Sequence, residues 1–140
     1  ETDMTSTVVY QGSLRTHCVH LKSGKAIITD APTDNHGKGE AFSPTDLVAT
    51  GLASCMISVM GIKANQHKID IEGAKAIVTK IMSSNPRRIA TIKVVIEMPA
   101  IAYTDKERKL LEHTAKHCPV AYSLHPDIEQ DLSFVYAALS

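Results

Sequence analysis

An α+β protein with antiparallel strand pairing is predicted, because β-like runs stand at both ends of the sequence and two helical patterns interrupt them. The β-like runs alternate apolar and polar side chains, as half-buried strands do. Between them lies an uncharged stretch, Leu47 to Ile62, whose apolar residues recur at three- and four-residue steps. The predicted element order is βββ-α-ββ-α-α-β. At 140 residues and 44% hydrophobic composition, a single domain over residues 1–140 is predicted.

Three short strands are predicted first, separated by the turn signals Gly12-Ser13 and Ser23-Gly24. In chain order they are the run that begins at Thr7, the stretch from Leu14 to Leu21, and the stretch from Lys25 to Thr29. A loop from Ala31 to Glu40 follows, because it contains Pro32, Gly37 and Gly39. Its composition predicts mobility.

A long helix should begin at Ser43 as N-cap, with Pro44 at the first helical position and Asp46 in the first turn. It should end near Asn65 or Gln66. Its uncharged part is about sixteen residues, below the ~20 that a bilayer needs, which favours a core helix over a membrane span. Because hardly any of its sides is polar, we expect this helix to be enclosed by pairing with a second chain.

Two long strands, a second helix and a last strand complete the pattern. The strands are Ile69 to Met82, Ile89 to Met98 after the turn Ser83 to Pro86, and Ile128 to Tyr136. Thr104, with Asp105 and Glu107, is predicted to cap the second helix. Pro119 either ends that helix or begins a short new one.

Composition excludes several classes of function. Basic and acidic residues balance at fifteen each, so nothing favours nucleic acid or a membrane surface as a partner. The polar opening, Glu1 to Ser6, lacks the pattern of a secretory signal, and we expect a reducing, cytoplasmic location. No glycine loop with phosphate-binding spacing and no serine-hydrolase elbow is present, so no cofactor is expected.

The three cysteines decide the function. Cys55 lies in the middle of the long helix and Cys118 at the end of the second, both on apolar faces. If those helices pack, the two thiols can meet, and peroxide reduction needs such a pair: one thiolate becomes a sulfenic acid and a second thiol condenses with it. Spacing alone favours the alternative that Cys55 is inert core filler, because a free cysteine on an apolar helix face is usually unreactive.

A reactive Cys55 needs a cation, because a helix dipole fades within the first turn and Cys55 lies about three turns into its helix. Arg15, in an early strand, is the candidate. Arg87, Arg88 and Arg108 fall in a turn or on a solvated helix face. Cys118, directly before Pro119, is predicted to be the N-cap of a short helix, where backbone N–H groups would stabilise its thiolate.

Metal binding is the other chemical option, and the sequence contains two clusters of histidine and cysteine that are candidates for it. His17, Cys18 and His20 form one, but alternation on a strand points His17 away from the other two. His113, His117 and Cys118 form the second, although neither cluster has the paired spacing of structural zinc. We therefore predict no metal site.

Two motifs resemble the OsmC/Ohr family of small thiol peroxidases. Ser43-Pro44 followed by Leu47 and Cys55 is similar to the family's first-cysteine helix, and His117-Cys118-Pro119-Val120 resembles its second-cysteine motif. The resemblance implies an OsmC-like fold, with antiparallel sheets wrapped around long buried central helices in an intertwined homodimer. It also implies two active sites at the subunit interface, organic hydroperoxides as substrates with hydrogen peroxide poorer, and a dithiol reductant such as a lipoylated protein.

The resemblance further implies roles for single residues. Cys55 corresponds to the peroxidatic cysteine, Cys118 to the resolving one, and Arg15 to an arginine from the N-terminal strands. One branch of the family has a glutamate directly after the helix-starting proline, where this chain has Thr45. Asp46 or Glu40 can supply the missing carboxylate, and Glu40 is preferred because a flexible loop can fold over a pocket. No role is assigned to Cys18 beyond buried filler.

Two hypotheses follow. In the first, Cys55 attacks the peroxide, Arg15 holds the thiolate and Cys118 resolves the sulfenic acid. In the second, the fold is a non-catalytic dimer that binds a small apolar ligand at the subunit interface.

Overall fold

The computed structural model describes residues 3–138, so the first two residues of the polar opening lie outside it. Its elements follow the predicted order. The strands are β1 (Ser6–Gly12), β2 (Arg15–His20), β3 (Ala26–Asp30), β4 (Lys75–Ser83), β5 (Arg88–Glu97) and β6 (Glu129–Val135). The helices are α1 (Pro44–Gln66), α2 (Asp105–Lys116) and α3 (Pro119–Ser123), with a short 3-10 turn at Thr33–Asn35 in the predicted loop. The chain divides into two compact units, one ending at Val48 and the other beginning at Ala49.

The first unit contains a three-stranded antiparallel sheet in the order β1-β2-β3. Ser13 and Leu14 both have positive φ, 55° and 61°, and form the tight turn between β1 and β2. In such a turn both central residues have a left-handed backbone conformation. The turn places Arg15 at the first position of β2. The second turn is closed by two hydrogen bonds, in which the His20 N–H donates to the Lys25 carbonyl and the Gly24 N–H donates to the His20 carbonyl, and these bonds fix the register of β2 on β3.

The second unit contains α1 from Ala49 onward. Apolar side chains of α1 pack in one cluster with those of β5 and α2, and each is almost fully buried. They are Leu52, Met56 and Met60 from α1, Ile92, Val94 and Ile96 from β5, and Leu111 and Ala115 from α2. By length and composition alone, α1 is the one helix in residues 3–138 that could cross a membrane. A buried core helix meets the same criterion, and the packing of these α1 side chains fits that interpretation.

The prediction of antiparallel sheets is wrong for β6. The second sheet has the order β4-β5-β6, with β4 antiparallel to β5 and β6 parallel to it. Parallel neighbours need a long crossover connection, and α2 and α3 supply one between the end of β5 and the start of β6. The predicted element order included these two helices, but the prediction of antiparallel pairing did not take into account that they can form such a crossover.

The fourth strand also starts later than predicted. Residues 69–74 form a turn in which the Ile69 N–H donates to the Ala64 carbonyl and the Ala74 N–H to the Ile71 carbonyl. Gly73, with φ of 94°, takes a conformation that suits glycine. Ile69 and Ile71 still pack on the core, which explains why their alternation imitates a strand.

Candidate active site

The thiols of Cys55 and Cys118 lie close to each other within the second unit, since Cys55 is one of the groups that raise the pKa of the Cys118 thiol. Cys55 is half-buried in α1, and Cys118 lies in the short link between α2 and α3. Neither is in a disulfide. The packing of α2 on α1, through Leu111 and Ala115, brings together two sulfurs that are far apart in sequence.

Cys118 is completely buried and is the N-cap of α3. Its sulfur accepts a hydrogen bond from the Ala121 N–H at 3.4 Å, and Pro119 occupies the first helical position. The predicted cap is therefore present, and its backbone N–H lowers the pKa of the thiol as expected, but burial outweighs this effect. Burial raises the pKa of the Cys118 thiol, the neighbouring Cys55 raises it further, and the Ala121 N–H only partly opposes these effects.

This direction of the pKa shift predicts how stability depends on pH. A thiol whose pKa is higher in the folded state than in the unfolded state contributes to the stability of the fold. That contribution is complete below the unfolded-state pKa, and it is lost as the pH rises toward the folded-state pKa. We therefore expect the urea midpoint to fall between about pH 8 and pH 10. Tyr103 and Tyr136, whose pKa values burial also raises, extend the fall above about pH 10. Cys118→Ser, which cannot ionise there, should show a smaller fall, and an equal fall in both proteins would contradict the assignment.

The first unit carries a cation bound by two carboxylates. The Arg15 guanidinium donates from Nε to Asp30 Oδ1 at 2.7 Å and from Nη2 to Asp30 Oδ2 at 2.8 Å. Nη2 also donates to Glu40 Oε1 at 3.1 Å. Asp30 is fully buried, whereas the Glu40 side chain is 67% exposed. Hydrogen bonds from Arg15 hold the pKa of Asp30 below its ordinary value, and the Asp30 carboxylate raises the pKa of Arg15.

Asp30 was missed from sequence, although the hairpin contains the signal that finds it. The β2–β3 turn pairs His20 with Lys25, and stepping outward along both strands places Arg15 directly opposite Asp30. Directly opposed residues of an antiparallel pair project on the same face, so a charged pair at this position is a cross-strand ion pair.

The family model described as OsmC-like protein matches residues 37–133, which is more than half of the chain. The chain belongs to the OsmC-like family. No curated protein matches the chain significantly.

Solved structures of similar proteins agree with this assignment. A protein from Psychrobacter arcticus 273-4, described provisionally as an osmotic stress induced and detoxification response protein, is 52% identical with a TM-score of 0.93, over 96% of this chain and 98% of its own. An organic hydroperoxide resistance protein OsmC from Legionella pneumophila is 20% identical with a TM-score of 0.74, over 96% and 98%. A protein from Vibrio cholerae, provisionally described as an organic hydroperoxide resistance protein and holding captopril in one of its active sites, is 17% identical with a TM-score of 0.69, over 96% and 93%. The fold is OsmC-like, with two sheets and helices.

The second carboxylate that pairs with Arg15 in this OsmC-like chain, Glu40, comes from the loop before α1. The Asp46 carboxylate accepts the Ser43 N–H at 3.0 Å, and the Asp46 N–H donates to the Ser43 hydroxyl at 3.1 Å, which is a reciprocal helix cap. The Thr45 hydroxyl lies 3.2 Å from that of Ser43. Glu40 reaches the guanidinium directly, as preferred from the sequence.

The remaining sequence candidates occupy other places. Cys18 is half-buried in β2, with its sulfur 3.6 Å from the Thr16 hydroxyl. The rings of His113 and His117 lie 4.3 Å apart on α2, and His117 Nδ1 is 2.8 Å from the His113 carbonyl oxygen. Within residues 3–138, no group of three or more metal-ligating side chains is assembled.

One cavity of about 580 Å³ lies within the second unit, beside Met56 of α1. Four charged side chains line it, namely Glu112, Lys116, Glu129 and Asp131. A small apolar ligand would displace water from these charged groups without replacing its hydrogen bonds, so this cavity suits a polar occupant better.

Proposed function

We propose that this OsmC-like protein is a thiol-dependent peroxidase that reduces organic hydroperoxides and, more weakly, hydrogen peroxide. The observation that carries the proposal is that two free thiols, Cys55 and Cys118, lie close together at the same buried cluster, one half-buried and one fully buried. A buried filler cysteine needs no second thiol beside it, whereas a two-step thiol peroxidase does.

The first step takes place at Cys55. Its thiolate attacks the terminal oxygen of the hydroperoxide, the O–O bond breaks, and the products are a Cys55 sulfenic acid and an alkoxide that becomes an alcohol on protonation. Half-exposure suits Cys55 to this step, since the peroxide must reach the sulfur.

The second step takes place at Cys118. Its sulfur attacks the sulfenic sulfur, its proton leaves with the hydroxyl group as water, and a Cys55–Cys118 disulfide forms. The raised pKa keeps Cys118 protonated at neutral pH, so the required proton is on the resolving thiol when the sulfenic acid appears. A dithiol then reduces the disulfide, and a lipoylated protein is our proposed donor.

We assign Arg15 as the cation that stabilises the Cys55 thiolate and the leaving alkoxide, on the family resemblance. Its two carboxylate partners keep the guanidinium charged and restrict its motion. Glu40, which is largely exposed, takes the place of the glutamate that Thr45 replaces. An oriented cation at developing negative charge is among the largest contributions to catalysis in general.

The proposed assembly is a homodimer in the cytoplasm, with the sheets of both chains wrapped around the central helices. Large apolar side chains are exposed in each unit and support association with a second copy. Val8 and Tyr10 of β1 are 63% and 64% exposed, and Ile62 of α1 is 59% exposed. Two similar proteins named for organic hydroperoxide resistance support the choice of substrate.

A thiol titration tests the proposal. One equivalent of cumene hydroperoxide should remove about two thiols per chain, because each peroxide consumes one thiolate and one resolving thiol. Cys18→Ser starts with one thiol fewer and should lose the same number, which makes it the matched control. If no thiol is lost, the non-catalytic binding dimer becomes the better account of the fold.

A further inference from the structure

We infer that Asp30 is a positioning residue for the reaction, holding Arg15 in the one orientation in which its guanidinium acts. This inference deepens the proposed function and rests on it. Glu40, the partner chosen from sequence, is by contrast an exchangeable neighbour.

The geometry of Asp30 supports this role. Its two oxygens accept hydrogen bonds from the forked guanidinium of Arg15, Oδ1 from Nε at 2.7 Å and Oδ2 from Nη2 at 2.8 Å. Oδ2 also accepts the backbone N–H of Glu40 at 3.1 Å. One buried carboxylate therefore fixes both the guanidinium and the loop residue that bonds it. A bidentate pair defines the plane of the guanidinium as well as its position.

The backbone of Asp30 is itself held firmly. Its N–H donates to the Phe42 carbonyl at 3.0 Å, and the N–H of Ala31 donates to the Leu14 carbonyl at 3.1 Å. Register places Asp30 directly across from Arg15 at the end of β3. Since the side chain has no exposed surface, water does not compete for its oxygens.

Glu40 differs from Asp30 in exposure and in the number of its contacts. It makes one bond to Nη2 at 3.1 Å, and its side chain is 67% exposed. Two carboxylates on one guanidinium leave a net negative charge, which opposes the approach of an anionic sulfur or oxygen. An exposed ion pair breaks at little cost, so an incoming anion can displace Glu40 while Asp30 keeps the fork in place.

Nuclear magnetic resonance tests the positioning without any reliance on peroxidase activity. The Nε–H of Arg15, bound to a buried carboxylate, should give a sharp ¹⁵N–¹H signal at neutral pH, identified by its loss in Arg15→Lys. Asp30→Asn should broaden or remove this signal, because the amide nitrogen cannot accept from the fork. Glu40→Gln, which also replaces one carboxylate by an amide, should keep it. A sharp signal in Asp30→Asn would overturn the inference.

Kinetics test whether the positioning matters for the reaction. Asp30→Asn should lower the rate constant of peroxide-dependent thiol loss by about 10- to 100-fold, since small misplacement of a catalytic group is costly. Glu40→Gln should change it by no more than about two- to fivefold. In an Arg15→Lys background, Asp30→Asn should have almost no further effect, because Asp30 acts through the fork of Arg15. A purely structural residue would slow both backgrounds alike, which would overturn the inference.

The two proposals fail in different ways. If the wild-type protein loses no thiols with peroxide, the proposed function fails, whatever the Arg15 signal shows. If the wild type reacts and Asp30→Asn reacts equally fast, only the inference fails. If Asp30→Asn does not fold, Arg15→Lys alone still tests the inference. Lysine keeps the positive charge opposite Asp30 but lacks the planar guanidinium group. A rate equal to wild type would show that the orientation of the guanidinium has no role, and would overturn the inference.

Discussion

Cys55→Ser is expected to reduce the rate of reaction with organic hydroperoxide by at least about a thousandfold, because it removes the nucleophile. A serine hydroxyl is not ionised at neutral pH and cannot form a sulfenic acid. The neighbouring Cys118 is buried and has a raised pKa, so it is a poor substitute nucleophile. The measurement is peroxide consumption at one equivalent of protein, together with the thiol count.

The control for this variant is Cys18→Ser, which also removes one cysteine. Cys18 lies in β2 beside Thr16, in the other unit from the thiol pair, and its loss should leave the rate unchanged. Unfolding of both variants in urea checks that the fold persists. If Cys55→Ser consumed peroxide at the wild-type rate, the assignment of Cys55 would be wrong.

Cys118→Ser is expected to separate the two steps. The first equivalent of hydroperoxide still oxidises Cys55, but no resolving thiol is present, so the loss falls from about two thiols per chain to about one. The sulfenic acid that remains should react with dimedone and should pass to sulfinic acid under excess peroxide, which stops turnover. Intact mass measurement after dimedone treatment records this directly.

The substitution itself should disturb the fold little. Serine is a preferred N-cap residue, and its oxygen can accept the Ala121 N–H that the Cys118 sulfur now accepts. Sustained turnover by Cys118→Ser, with no dimedone adduct and no overoxidation, would show that resolution does not need Cys118.

The sequence predicted those elements whose signals are local. Ser43 and Pro44 define the start of α1 within one turn, and Thr104 with Glu107 forms the predicted capping box of α2. The short helix after Cys118 was one of two options at Pro119, and the structure shows it. In each case the information lies within a few residues of the element.

What the sequence did not predict depends on distant contacts. The direction of β6 follows from the α2–α3 crossover, which strand alternation does not encode. Burial decides the pKa direction at Cys118, and a cap motif alone does not reveal how deeply a sulfur is enclosed. The pairing of Asp30 with Arg15 depends on the register of the hairpin, whereas the family pattern points only to carboxylates near the start of α1.

The closeness of the sulfurs of Cys55 and Cys118 is the central claim. Its most direct test is to treat the protein with one equivalent of hydroperoxide, digest it, and map its disulfides by mass spectrometry. The account predicts that the peptides carrying these two cysteines are joined, with Cys18 left as a free thiol. A bond from Cys55 to Cys18, or oxidation of Cys55 with Cys118 unchanged, would contradict it.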